Sequence, residues 1–369
     1  MESRRTPLHA EHEALGAMFT DFAGWRMPLR YDSELAEHHA VRKTAGLFDL
    51  THMGEIVLTG PEAGAALDYA LVGHSSAIGV GRARYTMITQ ADGGVLDDLI
   101  VYRLGDVEYL VVANASNAEL VFGELVERAK GFDTTVVDKS QDYALLAVQG
   151  PASTAILAGL TPTDLATVKY YASYPTEVAG VPVLLARTGY TGEDGFEIFV
   201  DSDAAAALWQ ALLAVAEDGE LTPAGLASRD SLRLEAGMPL YGNELSLEGD
   251  PFAAGLGPVV ALSKEGDFVG KAALAAKKAA GAGSTSGRKL VGLKGLGRRA
   301  GRGHYPVLKD GNVVGDVTSG QPSPSLGYPV AMAYVDVEFT EPGTALDIDL
   351  RGKSEPFEIV ALPFYKRAK

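Results

Sequence analysis

No cysteine occurs among the 369 residues. Disulfides, thiolate nucleophiles, cysteine-bound zinc and cysteine-bound iron–sulfur clusters are therefore outside the chemistry of this chain. The histidines offer no substitute metal site. His38 and His39 are adjacent, whereas a helical metal pair needs an i, i+4 spacing, so both read as surface or capping residues. No apolar run approaches the roughly 20 residues of a membrane-spanning helix. Residues 1–7 carry Arg4 and Arg5 but no apolar core, which is not a secretory signal, and the lack of cysteine fits a cytoplasmic location. Positive charge is in deficit: 32 Lys and Arg against 48 Asp and Glu give a formal net charge of −16. A nucleic-acid binder carries the opposite balance.

What remains is an ordinary globular composition, 47% hydrophobic and 22% charged, long enough for two or three domains with real cores. Residues 8–20 read as a short amphipathic helix, and residues 22–31 as an aromatic loop or short strand. A helix follows over 33–44, with Ser33 as N-cap and Gly46 closing it. Further helices are expected over 61–72, 114–130 (capped by Asn114 or Ser116), 204–216 and 223–235. Strands are expected over 55–58, 84–89, 95–103, 107–112, 143–149, 181–187 and 196–200. The order is not a regular βαβ alternation, which argues for α+β. Residues 279–287 form a low-complexity linker. Beyond it, six short strands separated by turn signals predict a small β-barrel or sandwich.

The stretch 93–103, Gly-Gly-Val-Leu-Asp-Asp-Leu-Ile-Val-Tyr-Arg, is the centre of the reading. Strand alternation sends Asp97 and Asp98 to opposite faces, so that one can reach solvent. Asp98 shares the parity of Leu96, Ile100 and Tyr102. A carboxylate on an apolar face is costly unless paired or neutralised. Asp98 is either a capping residue beside a turn Asp97 or an acid/base group tuned by burial. Glu197 sits in Phe-Glu-Ile-Phe-Val with large apolar residues on both faces. It is either buried, and suited to a ligand edge with two donors, or a strand-edge residue in water. Arg229 and Arg233, one helical turn apart, could hold a carboxylate or carbonyl, or pair with Asp230 or Glu235. Tyr85, Tyr102, Tyr170, Tyr171 and Tyr190 are stacking candidates or core. Residues 288–309 hold Arg288, Lys289, Lys294, Arg298, Arg299, Arg302, His304 and Lys309 and no acid. This segment is either a docking patch for an anionic partner or a solvated loop.

A series of motifs adds to this. Arg5-Thr-Pro-Leu8, Asp21-Phe-Ala-Gly-Trp25 with Met27-Pro28, Glu37-His-His-Ala-Val-Arg42 and Phe48-Asp49 with His52-Met53 come first. The Gly93–Tyr102 stretch, Gln149-Gly-Pro151 and Arg187-Thr-Gly-Tyr-Thr-Gly-Glu-Asp-Gly-Phe-Glu197 follow. The last are Ser228-Arg-Asp-Ser-Leu-Arg-Leu-Glu-Ala-Gly237, Leu240-Tyr-Gly242, Thr318-Ser-Gly320 and Pro322-Ser-Pro-Ser-Leu-Gly327. In this order, along nearly the whole chain, they closely resemble the aminomethyltransferase, or T-protein, family of the glycine cleavage system.

The resemblance implies a three-domain cloverleaf around a central hole that holds tetrahydrofolate. It implies a first domain over 1–50 and 138–225, a second over 51–137 and 226–280, and a C-terminal β-barrel over 288–369. It implies transfer of a methylene unit from the aminomethyl-lipoyl arm of the H-protein to tetrahydrofolate. By position, Asp98 matches the catalytic carboxylate, Glu197 the residue gripping the pterin's donor edge and Arg229 a folate-binding arginine. Met53, Tyr85, Asn114, Tyr171 and Tyr190 match pocket-lining positions. No metal is implied, and a monomer is the default. The H-protein of this family is acidic, which makes segment 288–309 its candidate dock; the folate polyglutamate tail is the other candidate for that segment. Alternatives are a related folate-dependent demethylase of another small donor and a non-catalytic folate-binding module. The iron–sulfur-assembly relatives carry a cysteine motif that this chain lacks.

Overall fold

The computed structural model describes residues 3–215, 220–281 and 287–367. The chain forms two compact units. The first comprises Met1–Leu67, Ser75–Tyr85 and Leu99–Asp230, and the second comprises Asp68–His74, Thr86–Asp98 and Ser231–Lys369.

The first unit is built on a six-stranded sheet. Its order is Ser173–Val178, Val181–Ala186, Gly195–Asp201, Tyr143–Gln149, Ala45–Asp49, Leu221–Pro223. The last pairs parallel to Ala45–Asp49; the other pairings are antiparallel. The two central strands, Tyr-Ala-Leu-Leu-Ala-Val-Gln and Gly-Phe-Glu-Ile-Phe-Val-Asp, are apolar on both faces because both faces are covered. Leu146, Val148, Phe196, Ile198, Leu208 and Trp209 share one core. Glu197 pairs with Ala186 on one side and Ala147 on the other, so it is interior and not at an edge.

A second, five-stranded sheet has the order Arg82–Thr89, Val95–Arg103, Glu108–Ala113, Gly54–Thr59, Thr135–Asp138. The first three are sequential neighbours, as the meander over 84–112 predicts. Residues 99–103 of the strand Val95–Arg103 belong to the first unit and residues 95–98 to the second.

Several local expectations need correction. The helix read over 8–20 stops at Ala14, and Met18–Phe22 is a strand paired with Trp25–Arg30. Its apolar residues fit either period over so short a stretch. Ser33 caps the helix Glu34–Lys43 as expected, its side chain accepting from Ala36 N–H. Gly46, however, lies inside the strand Ala45–Asp49, and Thr44 is the C-cap. His38 is fully buried, not a surface residue. The helix expected over 114–130 is Ala118–Arg128 with Asn117 at its N-cap, not Asn114 or Ser116.

In the second unit a closed barrel has the strand order Arg288–Gly295, Pro329–Asp336, Asn312–Pro322, Pro306–Lys309, Ala345–Asp349, Ser354–Val360. Arg288–Gly295 pairs with both Pro329–Asp336 and Ser354–Val360, which closes the ring. Alternate residues (Val291, Leu293, Val317, Ala331, Ala333, Val335, Ile348, Phe357) fill the interior. The helix Lys271–Ala280 also belongs to this unit. Leu274, on that helix, packs with Val72, Met87, Val95, Leu245 and Phe268. The sequence pattern predicts no element between 240 and 278. Residues 282–286 of the expected linker lie outside the described residues. Among the described residues no helix is long and apolar enough to cross a membrane.

Candidate active site

The hairpin-like segment 187–195 is held from both sides. Arg187 grips Asp194 with two bonds, Nε to Oδ1 at 3.0 Å and Nη2 to Oδ2 at 2.5 Å. Arg42 reaches it from the helix Glu34–Lys43, donating to Thr191 O at 2.7 Å and to Glu193 Oε1 at 2.9 Å. The Gln149 side chain fills the turn, donating to Thr188 O at 3.0 Å and accepting from Thr191 Oγ1 at 3.0 Å. A side chain at Gly189 would sit 2.0 Å from the Gln149 amide oxygen. Glycine at 189 is thus what lets the amide lie there.

This scaffold presents Thr188 and Tyr190 beside Glu197. Glu197 is 7% exposed. Its Oε2 accepts from Thr188 Oγ1 at 2.5 Å and from Tyr102 O–H at 3.2 Å. Its Oε1 takes no hydrogen bond from a described residue. Burial, with the Glu197 charge adding to it, pushes the Tyr102 hydroxyl well above its usual range, so it stays a donor. Burial also raises Tyr171, whose hydroxyl lies within reach of the Glu197 charge.

Arg229 stands on the helix Leu226–Glu235. Glu37, 1% exposed, fixes the start of that helix by accepting from Gly225 N–H at 2.9 Å and Tyr31 N–H at 2.7 Å. The Arg229 guanidinium lies 4.9 Å from the centre of the Tyr190 ring. Desolvation lowers its pKa, and the nearby Glu197 and Tyr190 oppose that. Its Nη1 is enclosed and has no hydrogen-bond partner. Arg229 thus associates with Glu197 and not with Asp230 or Glu235.

The turn 49–53 completes this part of the site. Asp49 accepts from Thr6 Oγ1 at 2.7 Å and Thr51 N–H at 2.9 Å, and pairs with His12 Nε2 at 2.9 Å. Tyr31 O–H lies 2.9 Å from the other His12 nitrogen. Met53 follows, half-buried, its N–H bonded to Leu50 O at 3.0 Å. Between them His52 is 4% exposed, edge-on to Phe22 at 5.3 Å. Burial depresses its pKa to about 4, against the pull of Asp49 and with the push of Arg229.

In the second unit the strand Val95–Arg103 begins with the two carboxylates. The expected exposures are reversed. Asp97 is fully buried and Asp98 half-buried. Alternation holds, but the face of Asp97 is closed by the packing around Val95, which the sequence pattern did not mark. Burial raises the pKa of Tyr241, and the charges of Asp97, Glu248 and Asp98 add to it. The loop after Tyr241 supports the strand: Val95 N–H donates to Ser246 O at 3.0 Å, and Gly94 backs onto Leu247 O.

Of the sequence-predicted residues, Glu197, Arg229, Tyr171 and Tyr190 come together, with Thr188, Tyr102 and His52 joining them. Tyr85 and Asn114 are half-buried, on Arg82–Thr89 and directly after Glu108–Ala113. Arg233 belongs elsewhere, in a buried pair with Glu244 at 3.0 Å. Thr188 and His52 lay inside quoted motifs, but nothing in their neighbours marked them as enclosed. Among the described residues no cluster of three or more His, Asp or Glu could hold a metal ion.

Over nearly its whole length the chain is similar to proteins of one family. Residues 8–264 match the family model "GCVT N-terminal domain", and residues 288–366 match "Glycine cleavage T-protein C-terminal barrel domain". An aminomethyltransferase of Saccharopolyspora erythraea is 64% identical over 365 residues, covering 99% of this chain and 98% of that protein. One of Streptomyces coelicolor is 62% identical over 371 residues, covering 100% and 99%. The crystal structure of the glycine cleavage system aminomethyltransferase T from Bartonella henselae superposes with a TM-score of 0.91. It is 38% identical and covers 98% of both chains. The buried carboxylate and arginine, the C-terminal barrel and these likenesses converge: the chain belongs to the aminomethyltransferase family of the glycine cleavage system, and it is a transferase.

Proposed function

We propose that the chain moves the methylene carbon of an aminomethyl group on the lipoyl arm of the H-protein to tetrahydrofolate. The products are 5,10-methylenetetrahydrofolate, ammonia and the dihydrolipoyl carrier. The observation that carries the reading is that two enclosed groups each keep a polar atom without a hydrogen-bond partner among the described residues. Glu197 has Oε2 occupied by Thr188 and Tyr102 and Oε1 open. Arg229 has Nη1 without a partner. A pterin fits that pair: its amidine edge donates two N–H groups and its ring carbonyl accepts one. Tyr190 and Tyr171 offer flat faces to the ring, and Met53, Tyr85 and Asn114 complete the lining.

Asp98 takes the chemical role. As ammonia leaves the S–CH2–NH3+ group, positive charge develops on the carbon that a folate amine must attack. A half-buried carboxylate stabilises that charge and moves a proton between the nitrogens. Holding donor and acceptor in line supplies the rest. In an assay of aminomethylated H-protein with tetrahydrofolate, Asp98→Asn should lower kcat by about a hundredfold or more while tetrahydrofolate still binds. An Asn variant of full activity would overturn the assignment. The same assay with dimethylglycine or a sulfonium donor tests the demethylase alternative.

The H-protein dock belongs to the same proposal, within segment 288–309. Arg288 is already neutralised by Asp316 at 2.6 Å and Asp336 at 2.9 Å, and Arg299 pairs with Glu355 at 3.3 Å. Lys289, Arg298, Arg302 and His304 are therefore the stronger dock candidates. Association should weaken as salt rises. The three-domain division, a monomeric state and a cytoplasmic location are part of this reading.

A further inference from the structure

His52 is enclosed, yet its Nδ1 has no hydrogen-bond partner. A buried imidazole nitrogen is ordinarily paired, because leaving it unpaired forfeits its hydration. The backbone around the ring is fixed by hydrogen bonds. Asp49 holds Thr51 N–H, Thr51 Oγ1 holds Leu145 N–H at 3.2 Å, and Met53 N–H holds Leu50 O. Phe22 closes one side of the ring. The turn is locked with the ring in place. The neighbouring Arg229, whose charge His52 feels, also carries an enclosed unpaired atom, Nη1. One polar guest placed between the two side chains would satisfy both atoms.

Resting on the function proposed above, we infer that His52 is a binding residue of the folate pocket, pairing its Nδ1 with a polar atom of the pterin on the side that Arg229 holds. The ring is neutral there, as it must be beside a guanidinium. One nitrogen then donates and the other accepts, and the bound ligand selects the tautomer. Glu197 and Arg229 grip the ring by charge, and His52 adds a neutral contact that fixes its orientation.

Direct titration of tetrahydrofolate into the full-length protein tests this, alongside thermal midpoints without ligand. His52→Leu should bind about tenfold more weakly, the effect of one lost hydrogen bond. His52→Asn, which keeps a donor near the Nδ1 position, should recover most of the affinity. Because Nδ1 has no partner in the free protein, the ligand-free midpoint of His52→Leu should not fall. Glu197→Gln separates the role of His52 from the existence of the pocket. If it weakens binding while His52→Leu binds as the unaltered protein does, the role of His52 is wrong and the pocket stands. If neither variant weakens binding, the pocket reading fails as well. A lower ligand-free midpoint in His52→Leu, with affinity not restored by Asn, makes His52 structural only and overturns the inference.

Discussion

Arg233 and Glu244 meet at 3.0 Å with side chains 1% and 0% exposed. The pair is also a tie. Arg233 donates to Met238 O at 3.2 Å and to Ser319 Oγ at 2.7 Å, and Glu244 Oε2 accepts Leu240 N–H at 2.8 Å. Removing one partner leaves the other charge buried and uncompensated. Arg233→Met or Glu244→Gln should therefore cost roughly 3–5 kcal/mol of stability. Chemical denaturation measures it, and a loss below about 1 kcal/mol would show that the pair contributes little.

Gly94 is the next point of sensitivity. A side chain there would lie 1.8 Å from Leu247 O, so the backbone has to move. Gly94→Ala should cost about 1–3 kcal/mol, the usual range for overpacking, and should lower kcat, because residues 97 and 98 follow on the same strand. Activity and melting curves of this variant, both unchanged, would show that the strand tolerates the shift.

His52 governs part of the acid limit. Its pKa falls from an ordinary 6.5 to about 4 on folding. Between those values the unfolded chain binds the proton and the folded one does not, so stability is complete above pH 6.5 and declines as pH falls toward 4. The full decline is about 3 kcal/mol. In His52→Leu that part of the pH dependence should vanish, which denaturant titrations at pH 7 and pH 4.5 can read.

Glu55 works in the opposite direction. It is 1% exposed, and neither carboxyl oxygen has a partner. Burial, with Asp138 adding to it, raises its pKa well above 4.5. The folded state then holds a proton that the unfolded chain releases, so stability declines as pH rises from 4.5 toward the raised value. Glu55→Gln should remove that decline and melt higher at pH 8 than the unaltered chain. An identical midpoint at pH 8 would mean that Glu55 ionises in place without cost.

The sequence made the regular parts legible. The barrel strands follow from alternation and turn spacing, whereas the apolar residues around Glu197 left an interior and an edge position both open until the strand pairing decided for the interior. The reversal at Asp97 and Asp98 was not legible, since alternation tells which residues share a face but not which face is covered. The Arg233–Glu244 pair was not legible for a related reason: Glu244 lies beyond the helix that carries Arg233, outside the i, i+4 spacing of a helix face. Thr188 and His52 enter the proposal only because geometry shows which oxygen of Glu197 is occupied and which ring nitrogen is open.

The barrel closes because Gly292 pairs with Val360, so its first strand waits on its last. Hairpins within it can form early, but the ring is complete only when segments far apart in the chain meet, and that search is slow. Until then both outer strands expose unpaired backbone to any neighbouring chain. Crowded refolding should thus be the condition in which this unit is most prone to clump.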